Sequence, residues 1–244
     1  MQMKRIISLA LVILMLLLCG CTKPHDAQAV IEPADYEVGF VTDEYDEKGC
    51  HVTLSYPVVS GLSNDDELNA MLKNYVKSRY AAECLVSEDG KTAFSYTVIN
   101  AAVTFKMKGF FSALIFVEHH ADSASHEMRE GYSINCATDE GKIYSSAEII
   151  GDFDGIRRQF VSGAFVEQYG MTNLTTVVPE ESLMEQYSEK YEIFPQIYFE
   201  NGTFGMNIDV VHLYGGYAGF ATDIENVSKY LNKEITFVAA LCGE

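Results

Sequence analysis

Basic residues are scarce in this chain: 17 Lys and Arg stand against 35 Asp and Glu in 244 residues, a formal charge of −18. That balance argues against nucleic acid as a partner, since its binders carry the opposite charge, and against anionic lipid or teichoic polymers. Cationic proteins, peptides and metal ions would be drawn in by the same field. Tryptophan is absent, yet 14 Phe and 15 Tyr remain, which suits a folded domain and not a disordered stalk. No cysteines stand in a CxxC pair, so neither a redox motif nor a zinc ribbon is indicated. There is no GxSxG elbow, and Ser112 lies inside an apolar strand pattern. Gly215, Gly216 and Gly219 lack the following Lys-Ser/Thr of a phosphate loop. The carboxylates are too numerous for one pair to stand out as a glycosidase acid and base. No internal repeat or low-complexity block is present.

What is there begins at the N-terminus. Lys4 and Arg5 precede an apolar run of thirteen residues, Ile6 to Leu18. Such a run falls short of the roughly 20 residues of a spanning helix but suits the core of a signal peptide. The next residues, Leu18-Cys19-Gly20-Cys21, resemble the lipobox of bacterial lipoproteins. Leu18 stands three before the cysteine, the small Gly20 just before it, and Cys21 is the acceptor. Cys19 fits less well because bulky Leu18 precedes it. The resemblance implies that residues 1–20 are removed, that the Cys21 thiol is diacylated, and that the protein is an extracytoplasmic, membrane-anchored lipoprotein. Two acyl chains give stable anchoring where one is marginal.

Four further cysteines follow: Cys50, Cys84, Cys136 and Cys242. An even number outside the cytoplasm invites disulfides, with three connectivities. Two bonds, one bond or four buried thiols all stay open at this level.

Residues 21–35 carry two prolines and little apolar periodicity, the pattern of a tether. From 36 to 244 the pattern is that of one α+β domain, with a mainly antiparallel sheet and three to four amphipathic helices. Residues 36–45 and 51–59 alternate as a hairpin. Asn64 with Glu67 marks a capping box for a helix whose apolar face carries Leu68, Met71, Leu72, Tyr75, Val76 and Tyr80. Strands are expected at 92–107, 110–120, 129–138 and 142–144. Phe153, Ile156, Phe160, Ala164 and Phe165 mark a second helix, and Pro179 opens a third. Strands 193–200 and 204–212 flank the turn Asn201-Gly202. Thr222 with Glu225 reads as another capping box, and 235–241 as a last strand.

Three stretches carry a family resemblance. They are Tyr56-Pro57-Val58-Val59-Ser60-Gly61 with the Asn64 helix; Phe111 to Phe116 with His126, Tyr132-Ser133-Ile134-Asn135 and Glu140-Gly141-Lys142; and Phe204 to Gly219, ending Tyr214-Gly215-Gly216-Tyr217-Ala218-Gly219. Together they resemble a family of bacterial extracytoplasmic domains of unassigned function. That family is shared with the outer part of lysozyme-sensing anti-sigma factors and an accessory region of some peptidoglycan deacetylases. The family's Gly-Ala-His-Gly turn corresponds here to Ala124-Ser125-His126-Glu127, which keeps the histidine and loses both glycines. The anchor, the resemblance, the acidic charge and the lack of a catalytic constellation together point to a non-enzymatic binding module, and lysozyme or another cationic protein or peptide would fit it by electrostatic complementarity.

The candidate binding residues are His126 and the aromatics Tyr214, Tyr217 and Phe220, interleaved with glycines as a contact loop. His119, His120 and His126 are weak metal candidates: in a strand the first two point to opposite faces and do not readily serve one ion. No cofactor and no catalytic constellation is indicated. The alternative is an enzyme or metal-dependent accessory acting on cell-wall polymer, built around those histidines.

Overall fold

The computed structural model describes residues 31–47, 50–83, 94–121, 127–171 and 173–244. The fold is α+β, built on two sheets that are antiparallel in every pairing but one. The first sheet runs β1 (Glu37–Glu47), β2 (Cys50–Ser60), β3 (Phe94–Met107), β4 (Phe110–Ala121), β5 (Met128–Ala137) and β6 (Lys142–Tyr144), in that order. β1 and β2 form the expected hairpin, in register from Glu37↔Ser60 to Glu47↔Cys50. Between β2 and β3 lies α1 (Asp65–Glu83), and such a crossover makes the two strands parallel. Their ladder covers only Cys50–Thr53 against Phe94–Thr97. At the opposite end Tyr36 holds β3, its buried phenol donating to the Met107 carbonyl at 3.0 Å. Lys106 Nζ returns a bond to the Tyr36 carbonyl. Ordered contacts reach back to Glu32, whose carbonyl accepts from the Lys108 amide and whose carboxylate pairs with Lys108 Nζ at 2.8 Å.

Each face of this sheet serves a different core. α1 buries Leu68, Leu72 and Val76 against Leu54, Ala113, Ile115 and Ile134. On the other face Phe105, Met107, Phe110 and Ala137 join the second sheet and the later helices. Burial on both faces explains why residues 110–117 read as one apolar run instead of alternating. Asn64 departs from the capping-box expectation: its side-chain amide donates to the Thr138 carbonyl. Asp65 instead gathers the Gly61 and Leu62 amides just ahead of the helix.

The second sheet has the order β7 (Val166–Tyr169), β10 (Tyr217–Asp223), β9 (Thr203–Asp209), β8 (Gln196–Glu200). β8 and β9 flank the Asn201-Gly202 turn as expected. β7 and β10 correct the sequence reading. The second helix, α3 (Phe153–Val161), ends before Ala164 and Phe165, which lead into β7. Thr222 lies within β10 and its hydroxyl accepts from the Asn226 amide, so it caps no helix; α5 (Ile224–Val227) starts at Asp223 without a side-chain cap. α2 (Ser146–Ile149) carries the reciprocal cap in full, between Ser145 and Glu148. α4 (Glu180–Met184) follows Pro179. The segment expected as a last strand is instead α6 (Thr236–Leu241), which buries Phe237, Val238 and Leu241. Its six residues are too few for periodicity to separate helix from strand.

The free edge of β8 lies against β4 and β5. The Phe199 amide donates to Ser112 Oγ at 3.0 Å, Ser112 Oγ donates to Asn135 Oδ1 at 2.9 Å, and Asn135 Nδ2 donates to the Ile197 carbonyl at 2.8 Å. The Ile197 amide finds Ser146 Oγ at 3.3 Å. Ser112 sits in its apolar strand for this reason: it satisfies an edge that burial would otherwise leave unpaired.

Candidate functional site

Where the far half of β4 meets the second sheet, an open groove of about 640 Å³ is lined with aromatic rings. Phe116 of β4 stacks on Tyr217 of β10, centroids 4.7 Å apart and planes 25° from parallel. Tyr169, at the end of β7, meets Phe116 edge-on at 5.3 Å and Tyr198 at 6.3 Å. A glycine makes this floor: a Cβ on Gly219 would fall 2.1 Å from the Tyr169 ring. Burial pushes the Tyr198 phenol up to about 12 and that of Tyr169 well above its usual range. Both rings therefore act as neutral surfaces at physiological pH.

The rim comes from the β9–β10 connection. Val210 N donates to the Gly216 carbonyl at 3.0 Å, closing a short turn around residues 212–214. Gly216 has φ +87°, and a Cβ there would sit 2.3 Å from the Arg129 carbonyl oxygen. Only glycine lets this connection lie against β5 in that conformation. The turn holds Leu213 out into solvent, 82% exposed, beside half-buried Tyr214 and with Met171 across the groove. Leu213 thus carries the groove's apolar lining out to its rim. Arg129 forms one wall. Its Nε donates to Glu118 Oε2 at 2.8 Å, and the guanidinium reaches Glu127 at 3.7 Å.

The structure brings two of the sequence-derived binding residues into this groove, Tyr214 and Tyr217. Phe220 is a correction. It lies on the opposite face of β10, 1% exposed, packed edge-on against Phe160 at 5.0 Å, and so belongs to the core. The contact-loop reading failed there because residues 217–223 form a strand, where positions three apart face opposite ways. His126 lies outside the described residues, as does Cys84. Phe116, Tyr169 and Arg129 were not expected as site residues: Phe116 figured only as the end of the Phe111–Phe116 stretch, Tyr169 and Arg129 stand in no motif, and only the tertiary fold gathers them.

His119 and His120 do fall on opposite faces. His119 is buried, T-shaped against Tyr96 at 5.1 Å, with its Nε2 at 3.9 Å from Glu130. His120 is half-buried on the other side. Among the described residues no group of three or more His, Cys, Asp or Glu could hold a metal ion. Cys50, Cys136 and Cys242 are free thiols, and burial pushes that of Cys136 up to about 12.

Burial holds the His119 pKa below its ordinary 6.5; the Glu130 carboxylate opposes this and Arg79 adds to it. The unfolded chain therefore takes up this proton first. The stability contributed by neutral His119 is present above pH 6.5 and is lost as pH falls through the lowered folded value. Urea midpoints at pH 7.5 and pH 5 should show a fall in the wild type that is smaller in His119→Phe. An equal fall in both would remove His119 from the account.

What the fold and site define is an α+β module with an aromatic groove between its two sheets. No protein-family model matches the chain, and no curated protein does. Among solved structures it is similar to a member of the DUF3298 family from Bacteroides fragilis, 12% identical over 88% of this chain and 99% of that one, with a TM-score of 0.49. It is also similar to a DUF3298 family protein from Pseudomonas aeruginosa, 10% identical with the same coverage and TM-score. That designation names no activity, substrate or partner, so function has to be argued from this chain's own residues.

Proposed function

We propose that this protein is a lipid-anchored, extracytoplasmic binding module without enzymatic activity, and that its partner is a cationic protein or peptide, lysozyme being the first to test. The observation that carries this reading is the groove: four clustered rings, an exposed Leu213 at the rim, and, held to its one charged lining residue Arg129, the carboxylates of Glu118 and Glu127. A surface of formal charge −18 supports fast capture of a basic partner, while the rings and Leu213 supply contact area. The lipobox resemblance at Cys21 supplies the anchor. None of the described helices is long and apolar enough to cross a membrane.

The chain's path also suits display. The Glu32–Lys108 contact fixes its entry at the β3–β4 turn. Phe116 lies six residues further along β4 from Phe110, about 20 Å away at the rise of a strand. The groove thus opens well away from the point where the tether joins the domain.

Calorimetry of the soluble domain against lysozyme should give binding that weakens as salt rises, and Tyr217→Ala should lower the affinity about tenfold. Absence of salt-sensitive binding would rule lysozyme out. In cells, Cys21→Ser should lose both palmitate labelling and membrane association; if the variant is recovered lipidated, the anchor assignment fails.

A further inference from the structure

Arg129 is the one base among the residues lining the groove. Its partner Glu118 stands directly opposite it across the β4–β5 ladder. Its second carboxylate, Glu127, is two residues back along the chain, outside the strand. The guanidinium is about half exposed, Glu127 likewise, while Glu118 is about three-quarters covered. A cation thus already occupies the charged end of the groove. It is gripped by two acids and lies beside the rings, with Arg129 close enough to Tyr217 to oppose the upward push of burial on that phenol.

We infer that Arg129 is an internal stand-in for the partner's cation: a basic side chain of an incoming amphipathic segment displaces it from Glu118 and Glu127, while the apolar neighbour of that side chain settles against Tyr217, Phe116 and Leu213. This rests on the binding-module reading and names what the groove takes. The exchange replaces one ion pair with another of equal charge and needs no proton, because a guanidinium stays charged at any physiological pH. The net gain then comes from the covered apolar surface of Leu213 and the rings. Specificity comes from the carboxylates, since an acidic segment would meet two like charges. A half-exposed ion pair is a weak one, so Arg129 can be displaced, and its long side chain can swing to solvent without disturbing β5.

The test uses two ten-residue probes, alternating Lys-Leu and alternating Glu-Leu, titrated into the mature domain and into Arg129→Gln. Removing the competitor should tighten Lys-Leu binding roughly fivefold, the size of one partly exposed ion pair. Adding Glu118→Gln and Glu127→Gln should abolish that gain, and Glu-Leu should bind neither protein. Weaker Lys-Leu binding to Arg129→Gln would overturn the inference, because Arg129 would then be a direct contact. Preference for Glu-Leu would overturn it too. If lysozyme binds the wild type and Arg129→Gln equally, the exchange falls while the binding-module reading stands. If neither lysozyme nor Lys-Leu binds either protein, both fall.

Discussion

Phe110→Ala should lower the free energy of unfolding by about 3–5 kcal/mol, the cost of emptying a large, fully covered aromatic site. For a domain of this size that corresponds to a fall of roughly 6–20 °C in Tm. Phe110 is fully buried where three elements converge. Its ring stacks on Phe237 of α6 at 3.9 Å and 6°, meets Phe199 of β8 edge-on at 5.8 Å, and lies 6.4 Å from Phe105 of β3. The site cannot readily collapse, because β4 is held in register by β3 on one side and β5 on the other. Phe237→Ala should cost a similar amount, and the two together less than their sum, since each already breaks the shared stack. Denaturant unfolding of the two single variants and the double variant checks this. A loss below about 1 kcal/mol for Phe110→Ala would mean the second core is not organised around this ring.

The same region shows why parts of the fold could be read from sequence and others could not. The β1–β2 hairpin and α1 announced themselves because each has one wet face: alternation and three-four spacing survive only where half of an element meets water. α6 buries Phe237, Val238 and Leu241 at helical spacing, but Ala239 and Ala240 between them are apolar too, so the run shows no polar contrast and passed for a strand. β10 hid for a different reason. Its glycine at 219 is there to let the Tyr169 ring cross the sheet face, and in sequence a glycine between aromatics looks like a turn. That misreading carried Phe220 into the proposed contact surface, although Tyr217, on the correct face, came with it. Of the groove, the rim was visible as a glycine-aromatic cluster. The floor was not, because Phe116 and Tyr169 lie more than 50 residues apart in the chain and nothing local pairs one with the other.

Asn135→Ala should cost about 2–4 kcal/mol although it removes little apolar surface, because it leaves buried main chain unsatisfied. Asn135 is 1% exposed and Ser112 wholly buried. Without the Asn135 amide the Ile197 carbonyl loses its donor, and the Ser112 hydroxyl, still accepting from the Phe199 amide, has nowhere to place its proton. Ser112→Ala orphans the Phe199 amide and one Asn135 oxygen instead. Each single change already breaks the relay, so the double variant should fall short of the summed losses by about 0.5–3 kcal/mol, the mark of a connected network. Location gives a second readout. Hydrogen exchange in Asn135→Ala should quicken at Phe199 and its β8 neighbours while Val52 and Leu54 of β2 keep their protection. The consequence for binding follows from Tyr198, which β8 carries against Tyr169 beneath the groove. A β8 freed from β4 and β5 no longer holds that ring in place, so Lys-Leu affinity should drop along with β8 protection. Full affinity in a variant whose β8 amides exchange freely would show that the clamp serves stability alone.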